Sequence, residues 1–237
     1  MLKNQQQASP RSNSESLLLV HSIFYTIQGE GIYCGYPAVF VRLAGCNLQC
    51  PLCDTDYTND SNWLTAYDVV KDCIAKHKAN VNANQKLVVI TGGEPFRQPK
   101  ALGNLCVLLE NEGFKIQIET NGTMAPPEIL PQSVVIMCSP KTTKLNPKLE
   151  KRIDAYKYVI KSDDYNIVDG LPLRALDHKA SPYIARPYNG FTGKVYVQPL
   201  DEQDAIKNAK HLKTAISVCQ EFNYILQIQV HKLIGVE

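Results

Sequence analysis

The sequence predicts a parallel α/β protein, arranged as an open sheet or a barrel. Short β-rich runs recur along the chain, several of them near-continuously apolar, as strands buried on both faces are. Segments with apolar residues at helical spacing lie between some of these runs. Polar or glycine-rich segments end or follow several strands, and parallel α/β proteins gather their ligands at the carboxyl ends of their strands.

In chain order, "AVFVRLAG" (38–45) reads as a strand and leads into a cysteine-rich loop. Helical spacing follows at Leu64, Tyr67, Val70, Cys73 and Ile74, then the strand "KLVVITGG" (86–93). A second helix is predicted from Leu102, Leu105, Cys106 and Leu109, and two strands follow, "KIQIETNG" (115–122) and "SVVIMCSP" (133–140). After the strand "AYKYVIK" (155–161), residues 164–193 lack a clear period and carry turn residues, which predicts an irregular insertion, a lid or a hairpin. The strand "KVYVQPL" (194–200), a helix marked by Ile206, Ala209, Leu212, Ala215, Ile216 and Cys219, and the strand "ILQIQVHK" (225–232) complete the order. The segments "TGGEP", "ETNGT", "SPK" and "QPLD" thus share one expected mouth with the cysteine loop.

The length of 237 residues favours one domain, expected over 17–237, with the polar residues 1–16 as a disordered tail. Twenty-five basic against 23 acidic residues give a net charge of only +2, so no polyanion or nucleic-acid surface is implied. The apolar runs "LLLV" (17–20) and "LVVI" (87–90) are too short to span a bilayer. The first sixteen residues also lack the apolar segment of an export signal, so a cytoplasmic, reducing setting is expected for the eight cysteines.

Cys46, Cys50 and Cys53 fall within one loop, "CNLQCPLCDT". Cys34, Cys73, Cys106, Cys138 and Cys219 are scattered singly; Cys73, Cys106, Cys138 and Cys219 are expected as small buried hydrophobes, and Cys34 has no evident role. A structural zinc site needs four ligands, usually in two short pairs, and no second pair exists. A four-iron, four-sulfur cluster on three thiolates leaves one iron open. The C-x3-C-x2-C spacing is the usual mark of the radical S-adenosylmethionine superfamily, whose open iron chelates the amine and carboxylate of that nucleotide. "TGGEP" agrees, because paired glycines at a strand end let a ligand approach bare backbone, although Gly-Gly after a strand is also an ordinary turn.

"FYTIQGEGIYCGYPAVFVRLAGCNLQCPLCDT" (24–55), with "TGGEP", "ETNGT", "SPK", "YVQP" and "QVHKLIGVE", closely resembles the 7-carboxy-7-deazaguanine synthase family. The similarity runs from about residue 18 to the C-terminus and is weakest across 164–193. It implies an incomplete TIM-type (β/α) barrel and an enzyme of queuosine and 7-deazapurine biosynthesis. Such an enzyme, a carbon–nitrogen lyase, converts 6-carboxy-5,6,7,8-tetrahydropterin to 7-carboxy-7-deazaguanine with loss of ammonia. A 5′-deoxyadenosyl radical takes hydrogen from C6 of the pterin. The resemblance also implies Mg²⁺, a homodimer, and an electron donor such as a flavodoxin-like protein. Another radical enzyme, such as a glycyl-radical activase, and a zinc-stabilised binding module are the alternatives.

On that resemblance Cys46, Cys50 and Cys53 hold the cluster and Thr55 is the magnesium ligand, supported by Asp54. Ile27, Gln28, Gly29, Glu30, Arg42, Thr91 and the terminal Glu237 should contact substrate, Glu30 at the guanidine-like edge and Arg42 at the carboxylate. Gly93, Ser139, Pro140, Lys141, Gln198, Pro199, Leu200 and Asp201 should contact S-adenosylmethionine. Plainer readings exist: a turn for Gln28–Gly31, an exposed strand charge for Arg42, a helix cap for Asp54–Asp56, and a solvated strand end for Lys141. Glu119 and Asn121 sit at a strand end without an assigned role. Pro51-Leu52 stands where the family often carries an aromatic before the last cysteine, leaving an aliphatic group to wall the adenine.

Overall fold

A computed structural model describes residues 4–12, 14–58, 60–80, 86–177 and 183–236. The elements, in order, are β1 (Leu17–Ile27), β2 (Pro37–Leu43), β3 (Asn62–Thr65), α1 (Ala66–Asn80), β4 (Lys86–Gly92), α2 (Pro99–Asn111) and β5 (Phe114–Thr120). They continue with β6 (Val135–Cys138), α3 (Pro147–Glu150), β7 (Ala155–Ile160), β8 (Lys194–Pro199), α4 (Ala205–Phe222), β9 (Ile225–Leu226) and α5 (Val230–Ile234). The strands form one sheet in the order β3-β1-β2-β4-β5-β6-β7-β8-β9. From β2 to β9 every pairing is parallel, whereas β1 runs antiparallel to both β2 and β3. Parallel neighbours laid down in chain order are the winding of an incomplete (β/α) barrel.

The two-residue period of a strand sorts every side chain onto one of two faces. Val39, Val41 and Leu43 of β2, Val88 and Ile90 of β4, Ile116 and Ile118 of β5, and Tyr156 and Tyr158 of β7 belong to the core under the helices. Their alternates, Phe40, Arg42, Thr91, Glu119, Lys157 and Val159, turn to the inner face and line one cavity. The pattern that makes the core therefore also aims the polar residues.

Helix starts follow local chemistry. Thr65 and Asp68 form a reciprocal box: Asp68 N–H donates to Thr65 Oγ1 at 3.1 Å and Thr65 N–H to Asp68 Oδ2 at 3.3 Å. α1 consequently begins at Ala66, and Leu64, expected on its apolar face, lies in β3 opposite Leu18. Tyr67 also leaves that face and is 71% exposed. On α4 the Asp204 carboxylate accepts from the N–H groups of Ile206 and Lys207, a cap of about 1 kcal/mol. Ile206, Leu212 and Ile216 of that helix are exposed, while Ala215, Val218 and Cys219 provide its buried face.

One further expectation is corrected. The strand over 225–232 ends near Gln227, whose N–H still donates to the Val197 carbonyl of β8 at 2.9 Å while its side chain turns to residues 29–31. Its Oε1 accepts from Gly31 N–H at 2.6 Å and its Nε2 donates to the Gly29 carbonyl at 3.2 Å. The chain then turns into α5, whose Val230 N–H donates to the Gly29 carbonyl at 3.2 Å. A Cβ on Gly29 would stand 2.0 Å from His231 Nδ1, so a glycine is what lets α5 dock. The leader, expected as a disordered tail, carries no helix or strand over 4–12, yet it is hydrogen-bonded to the cysteine loop: Ser9 N–H donates to the Cys46 carbonyl at 2.6 Å and Asn4 N–H to the Pro51 carbonyl at 2.8 Å. Residues 1–3 and 13 lie outside the described residues, as do 178–182 of the expected insertion. The rest of 164–193 is irregular, with Leu171, Ala175 and Ile184 packed into the core.

Candidate active site

A cavity of about 300 Å³ opens at the carboxyl ends of the parallel strands. Cys53 forms part of its wall. Cys46 and Cys50 lie in the same loop at 8% and 7% exposure. Burial pushes the Cys46 thiol up to about 12 and the Cys50 thiol up to about 11, with the Lys141 ammonium pulling Cys50 back down. A metal taken up by these thiols would have to displace their protons.

The loop has no ladder of its own and is braced from its surroundings. Gly45 N–H donates to the Tyr57 carbonyl at 2.8 Å, and Glu94 N–H to the Gly45 carbonyl at 3.0 Å. Asn121 Nδ2 donates to Asn47 Oδ1 at 3.0 Å, and Asn47 Nδ2 to Thr123 Oγ1 at 2.8 Å. A Cβ on Gly93 would lie 2.1 Å from the Gly45 carbonyl oxygen, so "TGG" and the cysteine loop touch backbone to backbone. The Glu94 side chain is fully buried and accepts from Phe96 N–H, Thr120 Oγ1 and Asn121 N–H at 3.0, 2.8 and 2.7 Å. Burial raises its pKa against those hydrogen bonds. Glu94 ties the end of β4 to the end of β5.

On the other wall Lys157 forms an ion pair with Glu30 and lies 3.8 Å from Glu119. Gln229 Nε2 donates to Glu30 Oε1 at 2.8 Å, and Gln28 Nε2 to Glu119 Oε1 at 3.0 Å. Burial alone would raise the Glu30 carboxyl, but the charge and hydrogen bond of Lys157, with Gln229, hold it below its ordinary value. Burial pulls Lys157 down, and the two carboxylates more than reverse it. Arg42 stands beside Thr91 in the β2–β4 ladder with its guanidinium 5.1 Å from the Phe24 ring centre.

The cavity wall takes Ile27, Gln28, Gly29, Glu30, Arg42 and Thr91, and also Thr55 beside Asp54. Gly93, Ser139, Lys141, Gln198, Leu200 and Asp201 line it too, whereas Pro140 and Pro199 do not. Glu237 lies outside the described residues. Lys141 Nζ donates to the Ser139 carbonyl at 2.9 Å, and burial lowers its pKa although Cys50 opposes this. Among the described residues the buried Gln198 Oε1 has no hydrogen-bond partner. An orphaned acceptor in a cavity wall fits a site shaped for a polar ligand. The three thiols, the bare Gly93 backbone and this acceptor fit the cluster and its nucleotide. Among the described residues no three His, Cys, Asp or Glu side chains converge on a single metal ion.

Several wall residues were given no role from the sequence, although "QVHKLIGVE" (229–237) belongs to the segments that carry the resemblance. Lys157 sat in a run read only as a strand, and Gln229, His231 and Lys232 in another. Lys232 Nζ bridges Asp201 at 2.9 Å and Asp54 at 3.4 Å. The Asp201 carboxyl is lowered to about 2, by the Gln203 N–H first and by Lys232 and Asn208. Leu52 lines the cavity, and its N–H donates to the Leu176 carbonyl at 3.2 Å.

Comparison with known proteins agrees with this geometry. The sequence profile of the Radical SAM superfamily matches residues 40–132. The 7-carboxy-7-deazaguanine synthase of Rickettsia prowazekii (strain Madrid E) is 38% identical over 239 residues, covering 95% of this chain and 92% of the relative. The protein of that name from Rhodospirillum rubrum is 39% identical over 225 residues, with 92% of each chain covered. The crystal structure of QueE from Escherichia coli shares the fold, with a TM-score of 0.66 at 23% identity over 90% of this chain and 94% of that one. The chain belongs to the 7-carboxy-7-deazaguanine synthase family, within the radical SAM enzymes.

Proposed function

We propose that the protein converts 6-carboxy-5,6,7,8-tetrahydropterin to 7-carboxy-7-deazaguanine with loss of ammonia. Cys46, Cys50 and Cys53 would hold a [4Fe-4S] cluster, with S-adenosylmethionine over Gly93, Ser139, Lys141, Gln198, Leu200 and Asp201. Together, when bound, these groups supply the 5′-deoxyadenosyl radical that takes the C6 hydrogen. Everything else falls to the chain's own residues.

Glu30 is held ionised by Lys157, which makes it an acceptor only. Its oxygens each serve one partner, Lys157 and Gln229, and keep lone pairs for the N–H-rich edge of a pterin. Gln28, anchored on Glu119, presents an amide to the same edge. Arg42, supported on the Phe24 ring, suits the substrate carboxylate through its planar fork. Thr55 offers a hydroxyl oxygen to Mg²⁺, which keeps waters and takes few protein ligands. The aliphatic Leu52 and Leu200 exclude water beside the nucleotide.

The buried Glu30–Lys157 pair, sharing one cavity with Cys53, carries this assignment: a binding module stabilised by a metal needs no such wall. A homodimer, a flavodoxin-like electron donor and a cytoplasmic setting belong to the same proposal. Among the described residues no helix is long and apolar enough to cross a membrane. The test is anaerobic incubation of reconstituted protein with the carboxylated pterin, S-adenosylmethionine and reductant, with and without Mg²⁺. Mass spectrometry should find 7-carboxy-7-deazaguanine, and its absence with a fully loaded cluster overturns the proposal.

A further inference from the structure

We propose that Asn4 and Gln6 are positioning residues: a two-amide buckle that holds the loop between Cys50 and Tyr57, and with it Cys53 and Thr55, in the shape that binds the cluster. This rests on the reading that Cys46, Cys50 and Cys53 carry a [4Fe-4S] group.

Between Cys46 and Tyr57 the chain has neither helix nor strand, so its backbone groups need partners from elsewhere. The leader supplies them on both sides of Cys53. Upstream, Asn4 N–H donates to the Pro51 carbonyl at 2.8 Å and Asn4 Nδ2 to the Cys50 carbonyl at 3.1 Å. Downstream, Gln6 Nε2 donates to the Thr55 carbonyl at 2.9 Å, and Gln6 Oε1 accepts from Tyr57 N–H at 2.6 Å. That pair of bonds to residues two apart is what an adjacent strand would offer.

The two amides are joined to each other, since Asn4 Oδ1 accepts from Gln6 N–H at 3.0 Å and from Gln6 Nε2 at 3.2 Å. Beneath them lies Tyr57, 2% exposed, whose hydroxyl reaches the carbonyls of Gln6 and Leu48 at 3.4 Å. Further along, Arg97 Nη1 donates to the Pro10 carbonyl at 2.7 Å and Ser12 N–H to the Arg97 carbonyl at 2.8 Å, which anchors the leader beyond the loop. Releasing the irons held by Cys50 and Cys53 requires those thiolates, on either side of the Pro51–Leu52 turn, to let go, which separation of the two cysteines favours. Bonds spanning that turn oppose the separation.

The experiment uses the full chain, reconstituted anaerobically, and follows iron release to a ferrous-iron chelator together with thermal unfolding of the metal-free protein. The wild type should hold about four irons. From the ordinary strength of such hydrogen bonds, Gln6→Ala should release iron about fivefold faster and Asn4→Ala with Gln6→Ala at least about tenfold faster. Gln6→Glu, which keeps the acceptor for Tyr57 but sets an acceptor-only carboxylate oxygen against the Thr55 carbonyl and Asn4 Oδ1, should release iron at least as fast as Gln6→Ala. Ser9→Ala, whose contact to Cys46 is through the backbone, should match the wild type. Unfolding of the metal-free variants should stay at the wild-type midpoint. Wild-type release from a fully loaded double variant overturns the buckle and leaves the cluster assignment standing. So does a midpoint that falls in proportion to the release rate, which marks a merely structural contact. A wild-type chain that takes up no iron overturns the cluster assignment, and the buckle with it.

Discussion

Lys157, on β7, pairs with Glu30, 127 residues earlier and just beyond β1, and reaches toward Glu119 on β5 at 3.8 Å. Three separate elements thus meet at one buried ammonium.

Replacing that cation with an isostere tests what it does. Lys157→Met leaves Glu30 buried with Gln229 as its remaining neutral donor, at a cost of about 3–5 kcal/mol near neutral pH. The sign of the pH dependence follows from Glu30, whose folded pKa is lowered from 4.5. Its contribution is complete above about 4.5 and disappears as pH falls through the lowered folded value. Lys157 is raised from 10.5, so its own contribution is intact throughout the acid range. In the variant, burial without the cation favours the protonated carboxyl. The stability gap between wild type and variant, measured by denaturant unfolding, should therefore narrow as pH is lowered. A gap constant from neutral pH into the acid range counts against the pair.

Gly93→Ala should separate the two backbones that meet beside Cys46. The new Cβ would lie 2.1 Å from the Gly45 carbonyl oxygen and 2.8 Å from Cys46 N, and no side chain is there to move aside. Such overpacking costs about 1–3 kcal/mol, and the braced loop must shift to relieve it. The expected result is a folded protein by circular dichroism with less than the full iron content. Full loading at wild-type stability would show that the contact is looser than described.

Much of this arrangement was legible in the sequence. The near-continuous apolar runs gave the parallel strands because burial on both faces leaves that mark, and the cysteine loop announced itself by spacing. What escaped reading depended on partners distant in sequence. Lys157 looks like any strand lysine until Glu30 and Glu119 are brought beside it. The alternation of "ILQIQVHK" is that of a strand, yet Gln227 bonds residues 29–31 and Gln229 bonds Glu30, so α5 replaces the ladder. The polar leader has the composition of a tail, and only the loop it braces gives it a place. Helical spacing likewise placed Ile206 and Tyr67 on buried faces, but both are largely exposed.

Cys50→Ala and Thr55→Ala should part company. The Cys50 thiol is buried in the loop, so its loss removes one of the three proposed ligands while the core of strands and helices is untouched. The expected product is soluble and fails to load iron. Thr55, whose hydroxyl faces Asp54 at 3.4 Å in the cavity wall, has no thiolate to lose. Its alanine variant should carry a full cluster and need a higher Mg²⁺ concentration for turnover. Iron analysis and a magnesium titration check both, and equal magnesium dependence would remove Thr55 from its assigned role.

Lys232 is the last test, because its contacts are nearly worthless for stability and well placed for binding. The ammonium bridges Asp54, beside Cys53, to Asp201, beyond β8, and all three side chains are 30–46% exposed. Exposed pairs of this kind contribute about 0.2–1 kcal/mol, so Lys232→Met should barely move the unfolding midpoint. The same bridge, however, helps hold the five-residue α5 against the cavity, and Gln229 and His231 in the adjoining wall depend on that placement. Loosening it should raise KM by about 1.4- to 5-fold, the same energy spent on binding, with kcat little changed. Salt should weaken wild-type binding toward the variant's level, since screening acts on the bridge and the variant has none. If KM and its salt dependence are alike in the two proteins, α5 is held by the Gln227, Val230 and Gln229 contacts alone, and the bridge is incidental.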